Sequence, residues 1–335
     1  MGKLISDFLS TPIPSEVWHY TNLAGFEGIL SSSRVWATEA HHTTDETEFV
    51  HARVVATHYL QRWQPADASV ARAKQAAEEV LARAFDQGPL APSKIEIFVA
   101  SFCATDDLKS QWMEYGDSGR GISLAFDLRH VRPPVGSGVA VTFAPCLYSM
   151  NDKERMLEDA LSDWVNTVSD LHRKTSSPKW AAEHLRVWQV IYRIYGLSFD
   201  DAAFAEGKAA LLKSSKKEFH EQLRRSLTQT SFDLLRIASH CKDQSFQQEA
   251  EWRLALPHFK ADPMKRLEVL YRGHNQAIPY LAHNLFSERL PIVRVKAGPM
   301  CENVDQVKAL LRQYGYDVPV ECSIIPIRSA ASIQP

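Results

Sequence analysis

Glu249-Ala250-Glu251-Trp252-Arg253-Leu254-Ala255-Leu256 decides how this chain is read. Polar and apolar side chains alternate there with the period of two that marks a β-strand. Before it, from about residue 151 to 239, apolar residues such as Trp164, Leu171, Trp188, Ile191 and Phe219 recur at helical spacing. Strand signals therefore return after a long helical stretch. Upstream, strands are expected at Glu16–Thr21, Arg34–Thr38, Ile95–Phe102 and Gly121–Asp127. Downstream, they are expected at Leu267–Tyr271, Pro291–Lys296 and Val318–Ile325. Helical spacing marks Leu23–Leu30, two helices within 46–86 broken at Gln64-Pro65, Leu108–Tyr115 and Asp305–Tyr314. Strands at both ends must pair over a long sequence distance. That gives an α+β domain: one half of the core over 15–150, a helical insertion over 151–239, and the other half over 240–330.

The bulk properties fit such a domain. The 335 residues are 45% hydrophobic and 23% charged, enough apolar residue to bury a core, which excludes disorder and fibrous classes. A net charge of −2 supplies no global attraction to nucleic acid or membrane. The five cysteines are scattered, without a Cys-x-x-Cys pair, which speaks against both a disulfide framework and a zinc site and for a reducing compartment. No window is long and apolar enough for a membrane span, so a cytoplasmic location without membrane attachment is expected.

Five constellations could carry chemistry. His19-Tyr20-Thr21 at a strand end offers a histidine that can donate to a ribose hydroxyl, with a tyrosine that can stack on a flat ring. Ser101 closes a buried strand, and Gln111, Trp112 and Tyr115 on the next helix could line a pocket beside it. Glu249, Glu251 and Arg253 would share one face of the strand quoted above. Carboxylates ~7 Å apart along a strand repel and raise one pKa, and either could stabilise a developing oxocarbenium ion. A salt-bridged strand face and packed aromatics explain the same residues without function. His42, Asp45, Glu48 and His51 are spaced three apart, but the stripe drifts around a helix, so no metal site is expected. Lys213-Ser214-Ser215-Lys216-Lys217 reads as a solvated charged face. The glycines at 116, 119 and 121 do not open a helix after a strand, which rules out a dinucleotide or phosphate loop.

In order, these segments resemble an uncharacterised bacterial family of unknown function. The resemblance rests on Trp18-His19-Tyr20-Thr21, Val35-Trp36-Ala37-Thr38, Ser101-Phe102, Ser110-Gln111-Trp112-x-x-Tyr115-Gly116, Gly119-Arg120-Gly121, Glu249-x-Glu251-Trp252-Arg253, Gly298-Pro299 and Ser323–Arg328. It covers most of 16–328 outside the helical stretch. One departure is Thr44, which stands before Asp45 and Glu48 where the family carries Asn. That family is in turn remotely similar to ADP-ribosyltransferase-like domains, which implies a split β-sheet core and NAD as the cofactor consumed. On this resemblance His19 would hold a ribose of NAD, with Tyr20 and Thr21 beside it. Ser101 would mark the middle motif, with Gln111, Trp112 and Tyr115 nearby. Glu251 would be the catalytic glutamate and Glu249 the residue that selects the acceptor.

The function expected is glycosidic C–N cleavage of NAD, with transfer to a macromolecule (protein, DNA or RNA) or to water, without a metal. The role implied is that of a toxin or anti-phage defence effector, with a cognate inhibitor or antitoxin as a partner. Two other classes stay open: a non-catalytic nucleotide- or partner-binding module, and a metal-dependent nuclease or hydrolase. On the first reading Glu251→Gln should abolish turnover while barely moving the thermal midpoint. On the binding-module reading it should mainly lower stability.

Overall fold

The computed structural model describes residues 2–42, 48–65, 95–129, 141–175, 217–259, 268–273, 277–283 and 289–326, with helical positions at 71, 74 and 78. Its strands are β1 (Val17–Thr21), β2 (Val35–Glu39), β3 (Ile95–Cys103), β4 (Ile122–Phe126), β5 (Thr142–Pro145), β6 (Glu251–Phe259), β7 (Leu270–Arg272), β8 (Ile278–His283), β9 (Ile292–Ala297) and β10 (Val320–Cys322). The described helices are α1 (Lys3–Leu9), α2 (Leu23–Ser32), α3 (Glu48–Arg62), α4 (Lys109–Glu114), α5 (Met150–Thr175), α6 (Lys217–Ala238) and α7 (Val304–Gln313). Helices and a mixed, largely antiparallel sheet make an α+β fold, with β9 and β10 the parallel pair.

The sheet is built around β3. One edge of β3 pairs with β6 over its whole length, from Ile95 opposite Phe259 to Cys103 opposite Glu251. The other edge is shared. β2 takes Phe98 and Val99, and β1 meets β3 only at Cys103. Among the described residues Ala100, Ser101 and Phe102 pair with no strand on that side, and the sheet forks there. One branch continues from β1 through β4, β9 and β10; the other runs from β2 through β8 to β7.

Alternation along β3 and β6 sends side chains into two cores. Ile95, Ile97, Val99 and Ala255 join one cluster with Ile5 of α1, Val55 and Leu60 of α3, Trp164 of α5 and Leu234 of α6. Phe98, Ala100, Phe102, Leu254 and Leu256 face the other, which α2 fills with Phe26, Ile29 and Leu30 and α7 with Val307 and Leu311. The long helices α5 and α6 thus belong to the same core as the strands, while residues 176–216 between them lie outside the described residues. Asn22 starts α2 by accepting from the Gly25 amide at 2.7 Å, and Ser33 ends it in the left-handed region.

Two strands went unforeseen in the sequence. β5 is four residues long and ends in Pro145, and β8 carries Pro279, which ordinarily demotes a run from strand status. β7 begins three residues later than the periodicity suggests. The expected second helix between 66 and 86 falls largely outside the described residues.

Candidate functional site

The fork holds a cavity of about 60 Å³, lined by Trp18, His19, Tyr20, Ser101, Phe102, Gln111, Tyr115, Glu249 and Glu251. These come from β1, β3, α4 with its C-cap, and the entry to β6. Ser101 is exposed although its neighbours on both sides are buried, and it lines the cavity.

His19 lies in the middle of β1, opposite Leu124, not at the strand end that the sequence suggests. Its Nδ1 is 2.9 Å from the Ser101 carbonyl oxygen, replacing a ladder bond that the fork leaves unmade. A carbonyl only accepts, so Nδ1 carries the proton, and Nε2 of the neutral ring is an acceptor. Burial lowers the His19 pKa; the Ser101 bond opposes this, and the charge of Arg272 adds to the lowering. The ring is therefore neutral at pH 7. Toward a ligand hydroxyl it accepts, whereas the sequence reading had it donate.

Glu251 and Glu249 meet behind the cavity. Glu249 does not lie on β6, as strand alternation suggests. It ends a 3-10 turn (Gln244–Glu249), and Ala250 in the left-handed region (φ 45°) swings the chain into the strand. The two carboxylates share one ammonium: Lys242 Nζ donates to Glu249 Oε2 and to Glu251 Oε2, each at 2.6 Å. Arg253 Nε donates to Glu251 Oε1 at 2.8 Å. The Glu251 amide donates to Tyr148 Oη at 2.9 Å. All four charged residues are buried: Lys242 is 4% exposed, Glu249 6%, Glu251 3% and Arg253 2%.

Burial alone would raise the Glu251 carboxyl, but the Arg253 and Lys242 charges and their hydrogen bonds overcome it and hold the pKa at about 2. Glu249 goes the other way. Burial raises its pKa, Lys242 only partly offsets that, and the Glu251 and Glu114 charges push it further up. Lys242 is held above its usual range because the two carboxylates outweigh the effect of burial. The two carboxyls are thus pushed apart, Glu251 toward the anion and Glu249 toward the acid, an arrangement that can divide acid–base roles.

Not every expected residue reaches the cavity. Trp112 is fully buried and its Nε1 donates to Asp107 Oδ1 at 2.6 Å, so it is core. Tyr20 packs edge-on against it at 4.8 Å, donates from Oη to the Thr105 carbonyl at 3.3 Å and accepts from the Leu108 amide at 3.2 Å. Its ring is a fixed wall and not a free stacking face. Thr21 ends β1 outside the cavity lining. Lys242 and Tyr148 were missed: neither belongs to a periodic element or a recognisable spacing. His42 sits on a 3-10 turn, its Nδ1 donating to Glu39 Oε2 at 2.9 Å, while Asp45 and the basic run at 213–216 lie outside the described residues. Among the described residues no group of three metal-ligating side chains gathers, and no helix is long and apolar enough to cross a membrane.

Residues 111–254 match a family described as "Protein of unknown function (DUF2971)". The match runs from Gln111 on α4 to Leu254 on β6, taking in both glutamates and Lys242, so the resemblance to a family of unknown function holds. No curated protein and no solved structure matches the chain.

Proposed function

We propose that this chain is an NAD-consuming enzyme of the ADP-ribosyltransferase type, which cleaves the glycosidic bond between nicotinamide and ribose and passes the ADP-ribosyl group to a macromolecule or to water. The observation that supports it is the convergence of His19, Tyr20, Ser101, Gln111, Tyr115, Glu249 and Glu251, from four separated segments, on one cavity at the fork of the sheet. In this reading the forked sheet is an ADP-ribosyltransferase-like core. At about 60 Å³ the cavity takes a few waters' worth of ligand, so it would receive one ring or sugar and leave the rest of the dinucleotide along the fork.

The chemistry follows from the residues. His19 Nε2 accepts from a ribose hydroxyl and fixes the sugar. The C1′–N bond breaks heterolytically, and nicotinamide leaves as a neutral pyridine with the bonding pair. The positive charge left on C1′ and the ring oxygen is stabilised by Glu251, whose carboxyl the Arg253 and Lys242 charges hold toward the anion. The acceptor oxygen or nitrogen then bonds to C1′ and gives its proton to Glu249, whose raised pKa suits a base. Such an enzyme acting on a cell's NAD would serve as a toxin or defence effector, held in check by a cognate inhibitor.

The test is to titrate NAD into pure protein and follow nicotinamide release. Release that falls at least ~100-fold in Glu251→Gln, with NAD still bound, supports the reading. Release unaffected by that change would refute it. One observation favours a second reading: two acids and two cations neutralise each other in the Glu249–Lys242–Glu251–Arg253 network, as in a structural core. Binding of NAD without any release would then mark a nucleotide-binding module.

A further inference from the structure

The branch of the sheet opposite His19 carries a cation that the chemistry above does not use. Arg272, at the end of β7, is half-buried, and its guanidinium lies over the Trp36 ring at 5.6 Å and the Tyr280 ring at 5.5 Å. It spends one donor, Nη2, on Thr38 Oγ1 at 2.7 Å. No carboxylate pairs with it among the described residues, in contrast to Arg253, Arg129, Arg236 and Arg294, each of which has an acid within 3.2 Å. A guanidinium taken partly out of water, held by two aromatic rings and bonded among the described residues through one of its five N–H donors, is suited to receive a bidentate anion.

Its position gives the anion a source. Thr38 stands opposite Val99 on β3, two residues from Ser101. With ~3.3 Å per residue and ~5 Å between strands, this places Thr38 about 8 Å from the fork at Ser101, roughly the length of one ribosyl phosphate. The Trp36 indole edge lies against α2, where a Cβ on Gly28 would stand 3.1 Å from it.

We propose that Arg272, aligned by Thr38, Trp36 and Tyr280, is a phosphate-binding anchor for the pyrophosphate of the ligand whose sugar enters the fork. The assignment of the sugar rests on the NAD reading; the anchor itself does not. Arg272 also acts on His19, whose pKa its charge helps to lower, so an anion bound at Arg272 would relieve that effect and let His19 protonate more readily.

The experiment is calorimetric titration of wild type, Arg272→Gln and Thr38→Val with inorganic pyrophosphate, with ADP-ribose and with phosphate-free nicotinamide riboside, alongside thermal midpoints. Wild type is expected to bind pyrophosphate and ADP-ribose, and Arg272→Gln to weaken both by roughly tenfold or more while riboside affinity stays within about twofold. Thr38→Val should weaken pyrophosphate binding by a smaller factor with an unchanged thermal midpoint, which separates a lost anchor from a lost fold. Pyrophosphate binding that depends on Arg272, without any riboside binding, would keep the anchor and discard the NAD reading. Riboside binding with no pyrophosphate binding, or pyrophosphate affinity equal in wild type and Arg272→Gln, would overturn the anchor and leave the fork reading standing.

Discussion

Both glutamates at the cavity take a 2.6 Å hydrogen bond from the same ammonium, so replacing Lys242 by Met would leave two buried carboxylates with one guanidinium between them. Breaking a buried ion pair by removing one member costs about 3–5 kcal/mol. Urea denaturation of Lys242→Met should show a loss of that size, and an unchanged midpoint would mean that the network is not coupled. The same geometry revises an expectation for Glu251→Gln. A side chain bonded to Lys242 and Arg253 cannot be neutralised with the thermal midpoint held constant, so this variant should lose stability as well as turnover. Glu249→Gln separates the two effects, since among the described residues the Glu249 carboxylate accepts from Lys242 and not from Arg253. With Glu249 raised above its ordinary value, wild-type turnover should climb with pH as that carboxyl loses its proton, and Glu249→Gln should flatten the climb while NAD stays bound. A wild-type profile already flat across mildly acid pH would remove Glu249 from the chemistry. Glu251 was legible in the sequence because alternation displays it, whereas alternation put Glu249 on the strand and the chain holds it on the turn before β6. Lys242 was not, because it enters from an irregular segment after α6, where no period marks a side chain as inward.

At the scale of elements, three strand ends are tied together by glycines. The Gly121 amide donates to the Gly116 carbonyl at 2.8 Å, the Gly298 amide to Gly121 at 2.9 Å, and the Met300 amide to Gly119 at 2.8 Å. A Cβ at Gly121 would stand 2.3 Å from the Thr21 carbonyl oxygen, which is backbone and cannot step aside. Gly121→Ala should therefore push β4 from the end of β1, cost about 1–3 kcal/mol by overcrowding, and weaken ligand binding at His19 two residues away. Guanidinium melts and NAD titration of that variant check both halves; full stability would show that the strand ends have slack. The long strands β3 and β6 and the helix α2 could be read directly, since runs of Ile, Val and Phe or apolar residues at helical spacing leave little choice. β5 and β8 could not, because proline and brevity erase the period. The fork itself is invisible to any single segment. It exists only because two strands share one edge of a third, and that is a property of pairing.

For the molecule as a whole, the pH dependence of stability should follow Glu251. Its folded pKa of about 2 lies below the ordinary 4.5, so its contribution is complete above pH ~4.5 and is lost as the pH falls toward 2. A difference of that span is on the order of 3 kcal/mol. Glu249, raised in the fold, contributes oppositely: its share is complete below the ordinary value and fades as the pH rises through its folded pKa. Urea midpoints at pH 5 and pH 3 should fall in wild type and change much less in Glu251→Gln. Equal slopes in the two proteins would show that acid sensitivity arises elsewhere.

The central strand has a consequence in time as well as in space. β3 is complete once residue 103 has been made, yet its full-length partner β6 ends at Phe259. A ribosome adding roughly 5–20 residues per second leaves that strand without its whole neighbour for about eight to thirty seconds. For most of that interval neither Lys242 nor the two glutamates have been synthesised, and the cavity has no back wall. Any chemistry housed there waits on β6 and not on the strands made first.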